Sequence, residues 1–388
     1  MSIDAAPPLS SLLHDAAAKA AAAQDEARRL LGHAPLVLFG AGGLGRSILP
    51  RLRTIGVEVA ALADNNPDRW NTVVEGVRVQ PPQEVVDKFG DNGVFMITVW
   101  NASRRRNHAD IHAQLRDRGC RNVISFAQLF RMHPDAFLPY FAIDRVDHAL
   151  NAADAIETVY DGLADDDSRT IYRRQIEWRI TADYDGLPAP AVGPHYFPRD
   201  VYRLRPDETF VDCGAFDGDT VRPFVALTHG AFAHYWALEP DPQNYAKLTA
   251  LVQSLPAEVA SRITCLTIAA SDRRGTEFFN SNGSASAGFS ETGDLSIETA
   301  PLDELVDSCT IIKLDVEGAE PRVLQGAERL IRECSPVLAI SAYHAQNHLW
   351  ELPRLVRSLN PAYQFYLREH NAEGFDLVLY AVPPQRHR

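Results

Sequence analysis

From residue 208 to residue 383, apolar runs recur with a regularity that few architectures satisfy: "ETFVDCGA", "AHYWALEP", "RITCLTIAA", "CTIIKLDVE", "PVLAISAYH", "YQFYLREH" and "FDLVLYAVP". The first five alternate with helix-forming segments such as "NYAKLTALVQSL" and "EPRVLQGAERLI". That alternation belongs to parallel strands joined by crossover helices and covered on both faces. The last two runs are separated by "NAEG" alone, too short for a crossover helix, so they must pair as an antiparallel hairpin. The expectation is an α/β unit with a seven-stranded, mostly parallel sheet closed by that hairpin.

A chain of 388 residues exceeds one ordinary core, and two units are expected. In the first half, "APLVLFGAGGLGRSILPRLRTIGVEVAALADNN" reads as strand, glycine turn, helix and strand. Gly40, Gly42 and Gly45 fit GxGxxG, and Asp64 ends the second strand where such folds set an acid against a ribose hydroxyl. Glycines there let the backbone approach a pyrophosphate at a helix N-terminus. The expected organisation is an N-terminal helix over 1–32, a Rossmann-like nucleotide-binding domain over 33–141, a helical connector over 142–195 and the larger α/β domain over 196–388. The first helix lacks signal-peptide grammar and suits packing or dimerisation, so a homo-oligomer stays open. Within the connector, "ADDDS" should break and cap a helix, and the proline-rich "GLPAPAVGPHYFP" should deliver "HYFPRD" to the mouth of the second domain.

Composition narrows the partners. A formal net charge of −13, with no basic stripe beyond a short "SRRRNH", argues against nucleic acid. Neither is any stretch long and apolar enough for a bilayer. Five cysteines without a CxxC pair fit a reducing cytoplasm.

Five parallel-type units closed by an antiparallel hairpin form the sheet of the class I methyltransferases, and ligands of doubly wound sheets sit at the carboxyl ends of the strands. Asp212 ends the first strand and leads into a wide turn, Gly214 to Gly218, that would admit the methionine arm of S-adenosylmethionine, with Asp212 taking its ammonium group. Glu239 ends the second strand and can accept from both ribose hydroxyls. Asp272, after the third, would meet the adenine amino group.

The blocks "FVDCGAFDGDT", "WALEPD", "IIKLDVEGAEPRVLQGA", "LAISAYH" followed by "LW" and "LP", and "YQFYLREH" resemble the FkbM family of S-adenosylmethionine-dependent methyltransferases over Tyr196 to Val382. That resemblance implies methyl transfer to a hydroxyl of a sugar, sugar nucleotide or related secondary metabolite, with Tyr196, Asp212, Gly214, Ala215, Phe216, Gly218, Thr220, Glu239, Pro240, Asp272 and Asp315 around the donor. Where the family tends to carry an acid before "LW", this chain has His348. The stretch "ALADNNPDRWNTVVEGVRVQPPQEV" resembles the small nucleotide-binding domain at the N-terminus of bacterial sugar O-acyltransferases, which implies a sugar nucleotide or a dinucleotide such as NAD. A Rossmann-like domain kept for docking, its cleft empty, stays open.

A sugar hydroxyl must lose its proton near the transition state, and a neutral imidazole suits that task. His344, ending the fifth strand, is the expected base, ahead of His370 at the end of the sixth; Asp315 and Glu317, ending the fourth, would orient substrate or base. Asp315, Glu317 and His344 could instead hold Mg²⁺; spacing does not decide, and no metal is assigned. The Ser- and Gly-rich "NSNGSASAGFSETGDLSIETA" is a candidate lid or acceptor-recognition loop, or an ordinary hairpin. The alternatives to a methyltransferase are an NAD-dependent sugar-nucleotide oxidoreductase or epimerase at Gly40, weakened because no Tyr-x-x-x-Lys pair accompanies it, and a non-catalytic nucleotide-binding protein.

Overall fold

Two sheets, one in each half of the chain, organise the computed structural model, which describes residues 9–101, 107–184, 186–279 and 295–386. Helix α1 (Leu9–Leu31) carries small and apolar residues every three or four positions, which gathers them on one face. Leu9, Leu13, Ala16 and Ala20 of that face enter the core of the C-terminal half, and Ala27 enters the core of the N-terminal half. The helix thus straps the halves together.

The N-terminal sheet comprises β1 (Leu36–Phe39), β2 (Val59–Ala63), β3 (Val73–Val74), β4 (Val77–Gln80), β5 (Val94–Ile97) and β6 (Asn122–Ser125), in the order β3-β4-β2-β1-β5-β6. All pairings are parallel except β3 with β4. Helix α2 (Gly43–Thr54) follows β1 through the glycine turn. A Cβ on Gly45 would lie 1.9 Å from the Gly40 carbonyl oxygen, so this helix can approach its strand only through a glycine. Helix α3 (His108–Asp117) precedes β6.

Helix α4 (Asp166–Thr181) begins where the acidic run was expected to cap it: Asp165 accepts from the Ser168 N–H at 2.7 Å. Arg179 of α4 is buried and donates to the carbonyls of Ala342 (2.7 Å), Ala345 (3.0 Å) and Gln346 (2.8 Å). The connector therefore holds the chain segment that carries His344.

The C-terminal sheet is built from β7 (Thr209–Cys213), β8 (His234–Leu238), β9 (Ile263–Leu266), β13 (Ile311–Leu314), β14 (Val337–Ser341), β15 (Gln364–Glu369) and β16 (Leu377–Val382), in the order β15-β16-β14-β13-β7-β8-β9. Every residue of β13, β14 and β16 is buried, as a sheet covered on both faces requires. The five strands β7, β8, β9, β13 and β14 run parallel, and β15 and β16 pair antiparallel. The seven-stranded sheet with its closing hairpin is therefore the one expected. One run differs: "RITCLTIAA" breaks after Leu266, and Ala269–Ala270 leaves as β10 to pair with β12 (Leu295–Ala300), which also pairs with β11 (Gly275–Phe279) in a small separate sheet. The Ser- and Gly-rich loop expected as a lid falls largely on 280–294, outside the described residues, as does most of "SRRRNH". Register sets Cys213 beside both Leu238 and Leu314, so the turns after β7, β8 and β13 open along one edge. Helices α5 (Pro242–Ser254), α6 (Glu320–Gln325) and α7 (His348–Leu359) pack nearby. No described helix is long and apolar enough to cross a membrane, and all five cysteines are free.

Candidate active site

At that edge lies a cavity of about 980 Å³, open mouth included, lined by residues from five strand ends, within the usual size range of small-molecule sites. Of the residues expected around the donor, Tyr196, Gly214, Phe216, Glu239, Pro240 and Asp315 line it, as does Glu317. Gly214 has φ +82°, and a Cβ there would sit 2.0 Å from the Asp315 carbonyl oxygen. The amides of Gly214 and Ala215 both donate to the Leu238 carbonyl at 3.0 Å, which ties the glycine turn to the tip of β8. Glu239 accepts from the Phe216 N–H at 2.8 Å and the Asp241 N–H at 2.9 Å. Burial pushes its carboxyl up to about 7 against those two bonds. Four non-glycine lining residues, Tyr196 (φ +65°), Phe216 (φ +47°), Glu317 (φ +53°) and Asp376 (φ +51°), hold left-handed backbone, a costly conformation that clusters at functional sites.

The remaining donor residues expected from sequence sit elsewhere. Asp212 is fully buried behind the cavity, ion-paired with Lys313 at 3.0 Å and accepting from the Tyr235 hydroxyl at 2.6 Å. A carboxylate so engaged has no face to offer an ammonium group. Ala215 and Thr220 are buried outside the lining, and Gly218 packs toward Leu251 and Leu248. Asp272 pairs with Arg322 at 2.9 Å instead of entering the cavity; the wall after β9 is formed by Ile268, Ala269 and Ala270.

His344 does not line the cavity but stands behind it, its side chain 2% exposed. Its Nδ1 lies 2.8 Å from Glu320, and its Nε2 faces Asp315 at 3.5 Å and Glu317 at 3.8 Å. Burial alone would lower its pKa, but Glu320, Asp315 and Glu317 outweigh burial and raise it to about 9. The imidazole thus carries its proton at neutral pH, which corrects the expectation of a neutral base. Asp315 is drawn down to about 2: burial opposes ionisation, and Lys313, His344 and the Tyr196 hydroxyl at 2.8 Å overcome it. Lys313 also donates to the Gly214 carbonyl at 2.6 Å. His370 bonds the Tyr380 hydroxyl at 2.7 Å and lies outside the lining.

Sequence reasoning missed several lining residues, among them His195, Tyr343 and Asp376. His195 stacks on Tyr196 with ring centroids 3.8 Å apart. Burial drives its pKa down to about 4, although Asp315 pulls the other way, so its ring is neutral. The signal for it was present in the "HYFPRD" arm, whose delivery to this mouth was expected and whose first residue was passed over.

In the N-terminal half the glycine turn keeps its expected geometry, and Asp64 occupies its end. Both oxygens of Asp64 are engaged: one takes the Ala41 N–H at 2.7 Å and Arg69 at 2.9 Å, the other the Asn66 N–H at 2.7 Å. The Arg69 guanidinium lies 3.3 Å from where a Cβ on Gly42 would be.

Comparison with known proteins agrees with this geometry. A crystal structure of the methyltransferase FkbM from Methylobacillus flagellatus KT superposes with a TM-score of 0.76 at 24% identity, covering 96% of this chain and 99% of that one; it shares the fold. The redox-sensing transcriptional repressor Rex of Roseiflexus sp. (strain RS-1) is 28% identical over 103 residues, 26% of this chain. This chain spans about half that repressor's length, 46%. Residues 212–372, which contain the glycine turn, Glu239, Asp315 and His344, match the family of the methyltransferase FkbM domain. Residues 212–372 therefore form a methyltransferase FkbM domain.

Proposed function

We propose that the protein transfers a methyl group from S-adenosylmethionine to a hydroxyl of a sugar, sugar nucleotide or related secondary metabolite in the cytoplasm. The observation that carries this reading is Glu239: a buried carboxylate at a strand tip, free of any cationic partner among the described residues, beside a glycine turn that a side chain would block. A pair of ribose hydroxyls is what such an acceptor lacks. The apolar wall of Ile268 to Ala270 suits an adenine ring, and Asp219 supplies negative charge for the cationic end of the donor.

The donor brings a methyl group already activated by its sulfonium charge. What the protein adds is alignment, worth on the order of 7–11 kcal/mol at best, and a place for the proton the acceptor sheds. His195 fills that second role better than His344, because its ring is neutral, lines the cavity and has an Nε2 without a hydrogen-bond partner among the described residues. Tyr343 and Asp376 also line the cavity and would orient the acceptor.

The test is incorporation of labelled methyl from S-adenosylmethionine into a panel of sugars and sugar nucleotides. Transfer to at least one hydroxyl is expected, with His195→Ala lowering kcat at least 30-fold and leaving donor affinity within threefold. Transfer confined to nitrogen or carbon acceptors would refute the hydroxyl assignment. For the N-terminal unit we propose a nucleotide-linked ligand at the Gly40 turn; the likeness to a redox-sensing repressor keeps NAD among the candidates.

A further inference from the structure

We propose that His344 Nε2, Asp315 and Glu317 bind one divalent transition-metal ion at the inner wall of the cavity, with Glu320 behind the imidazole as the group that orients it. Among the described residues Asp315, Glu320 and His344 also stand out as a group whose ligand atoms lie within 4.8 Å of one another. Their division of labour follows from the hydrogen bonding. Glu320 is fully buried, accepts from the Val316 N–H at 3.1 Å and sits 2.8 Å from His344 Nδ1. A carboxylate can only accept, so Nδ1 donates and the ring presents Nε2 forward. Metal-bound histidines almost always give their other N–H to such a carboxylate.

Nε2 is buried with no hydrogen-bond partner among the described residues. Asp315 Oδ1 stands 3.5 Å and Glu317 Oε1 3.8 Å from it, too far for hydrogen bonds. Donor atoms each roughly 2.0–2.2 Å from a shared ion stand about 3–3.5 Å apart, close to both of these separations from Nε2. Asp315 keeps its second oxygen on the Tyr196 hydroxyl at 2.8 Å, which fixes Oδ1 toward the imidazole. Glu317 holds left-handed backbone at φ +53° and lines the cavity. Lys313, ion-paired with Asp212 and bonded to the Gly214 carbonyl, favours the ionised form of Asp315 from a distance but forms no ion pair with Asp315, Glu317 or Glu320 among the described residues. A cation that displaces the proton from Nε2 would take its place among those carboxylates.

One imidazole and two carboxylates form a borderline donor set that favours Mn²⁺, Co²⁺ or Zn²⁺ over Mg²⁺, which prefers oxygen and retained water. Three protein ligands leave positions open, as catalytic sites do. Asp315 and Glu317 line the cavity, so an open position would face the acceptor, and a hydroxyl bound there becomes acidic enough to give its proton to a weak base. This role rests on the methyltransferase reading above.

The experiment uses the full chain, treated with chelator and desalted, titrated with MnCl₂ and followed by the electron paramagnetic resonance of free Mn²⁺. Donor binding is measured in parallel by calorimetry. About one Mn²⁺ per chain is expected, with affinity reduced at least 30-fold in His344→Ala and Glu317→Gln and about tenfold in Glu320→Gln, all three retaining donor binding. Glu317 is the most exposed of the three at 21%, so its variant decides if the others fail to fold. Absence of stoichiometric Mn²⁺ uptake, or uptake unchanged in Glu317→Gln, overturns the metal site. With donor binding intact, that result leaves the proposed function standing; loss of donor binding in the unaltered protein would instead sink the proposed function.

Discussion

The two glycine turns of this chain are built alike and finished differently. Each follows a buried parallel strand, and in each the acid ending the next strand accepts an N–H from the turn: Asp64 from Ala41, Glu239 from Phe216. At Asp64 an arginine from the same loop completes the carboxylate. Among the described residues no cation pairs with Glu239, and burial holds the carboxyl at about 7. A shared turn geometry is thus a property of the fold, and in the function proposed above the acid without a cationic partner is the one that receives the ribose hydroxyls.

The largest effects should come from the glycines. A Cβ on Gly45 would meet the Gly40 carbonyl at 1.9 Å, and one on Gly214 would meet the Asp315 carbonyl at 2.0 Å with φ already +82°. Either alanine variant should cost upward of about 3 kcal/mol, since backbone must shift to admit it. Denaturant unfolding checks the cost and calorimetry the consequence: Gly214→Ala should lose donor binding even in its folded fraction, and Gly45→Ala should keep it. If both variants kept donor binding, the comparison between the turns would fail.

Next comes the acid itself. Two hydrogen bonds to a buried carboxylate are each worth roughly 1.5–3 kcal/mol, so Glu239→Ala should weaken S-adenosylmethionine binding by at least about 100-fold. Asp64→Ala should leave it within twofold, because its oxygens serve its own loop. Equal losses would mean that the turns are energetically one site.

How much of this was legible without coordinates follows from what each inference needed. The sheet was readable because period-two runs, helix spacing and a four-residue gap each leave one topology open, and Glu239 was readable because a strand tip is a position along the chain. Asp212 was misassigned because its partner is set across the sheet: register places Lys313 directly beside it, and no pattern within either strand announces that. Asp272 was lost to Arg322, fifty residues away. Both cases are acids at the right address whose valence is already filled. His344 was correctly located at its strand end, but its protonation is decided by Glu320 on α6, which sequence spacing does not bring to it. His195 went unnoticed because the arm that carries it has no periodicity to align.

A smaller effect sharpens the same contrast through pH. Glu239 must be ionised to accept from two hydroxyls and to attract a cationic donor. Its carboxyl is raised to about 7 by burial, with Asp241 adding to the rise and Lys313 opposing it. Donor affinity should therefore be level above about pH 8 and fall as pH drops through 7, approaching tenfold per unit for a single proton. Calorimetry between pH 6 and 8.5 measures the slope, and Glu239→Gln, weaker throughout, should flatten it. A slope that survives in the Gln variant belongs to another group.

The smallest expected effect is at Arg69, and its size is the point. Its guanidinium is 39% exposed while Asp64 is 8% exposed, so solvent screens the pair and its net worth is about 0–1 kcal/mol. Arg69→Met should lower the melting temperature by a few degrees at most and leave donor affinity within twofold. It also removes the cation that distinguishes the Gly40 turn from the Gly214 turn, leaving Asp64 with backbone N–H partners as Glu239 has. If an unpaired acid is what turns such a loop into a receptor for ribose, the variant should bind a nucleoside more tightly than the parent, read by calorimetry with adenosine to keep phosphate contacts out of the comparison. Unchanged or weaker adenosine binding would show that filling the acid's valence is not what separates the two turns, and the distinction would then rest on the cavity walls alone.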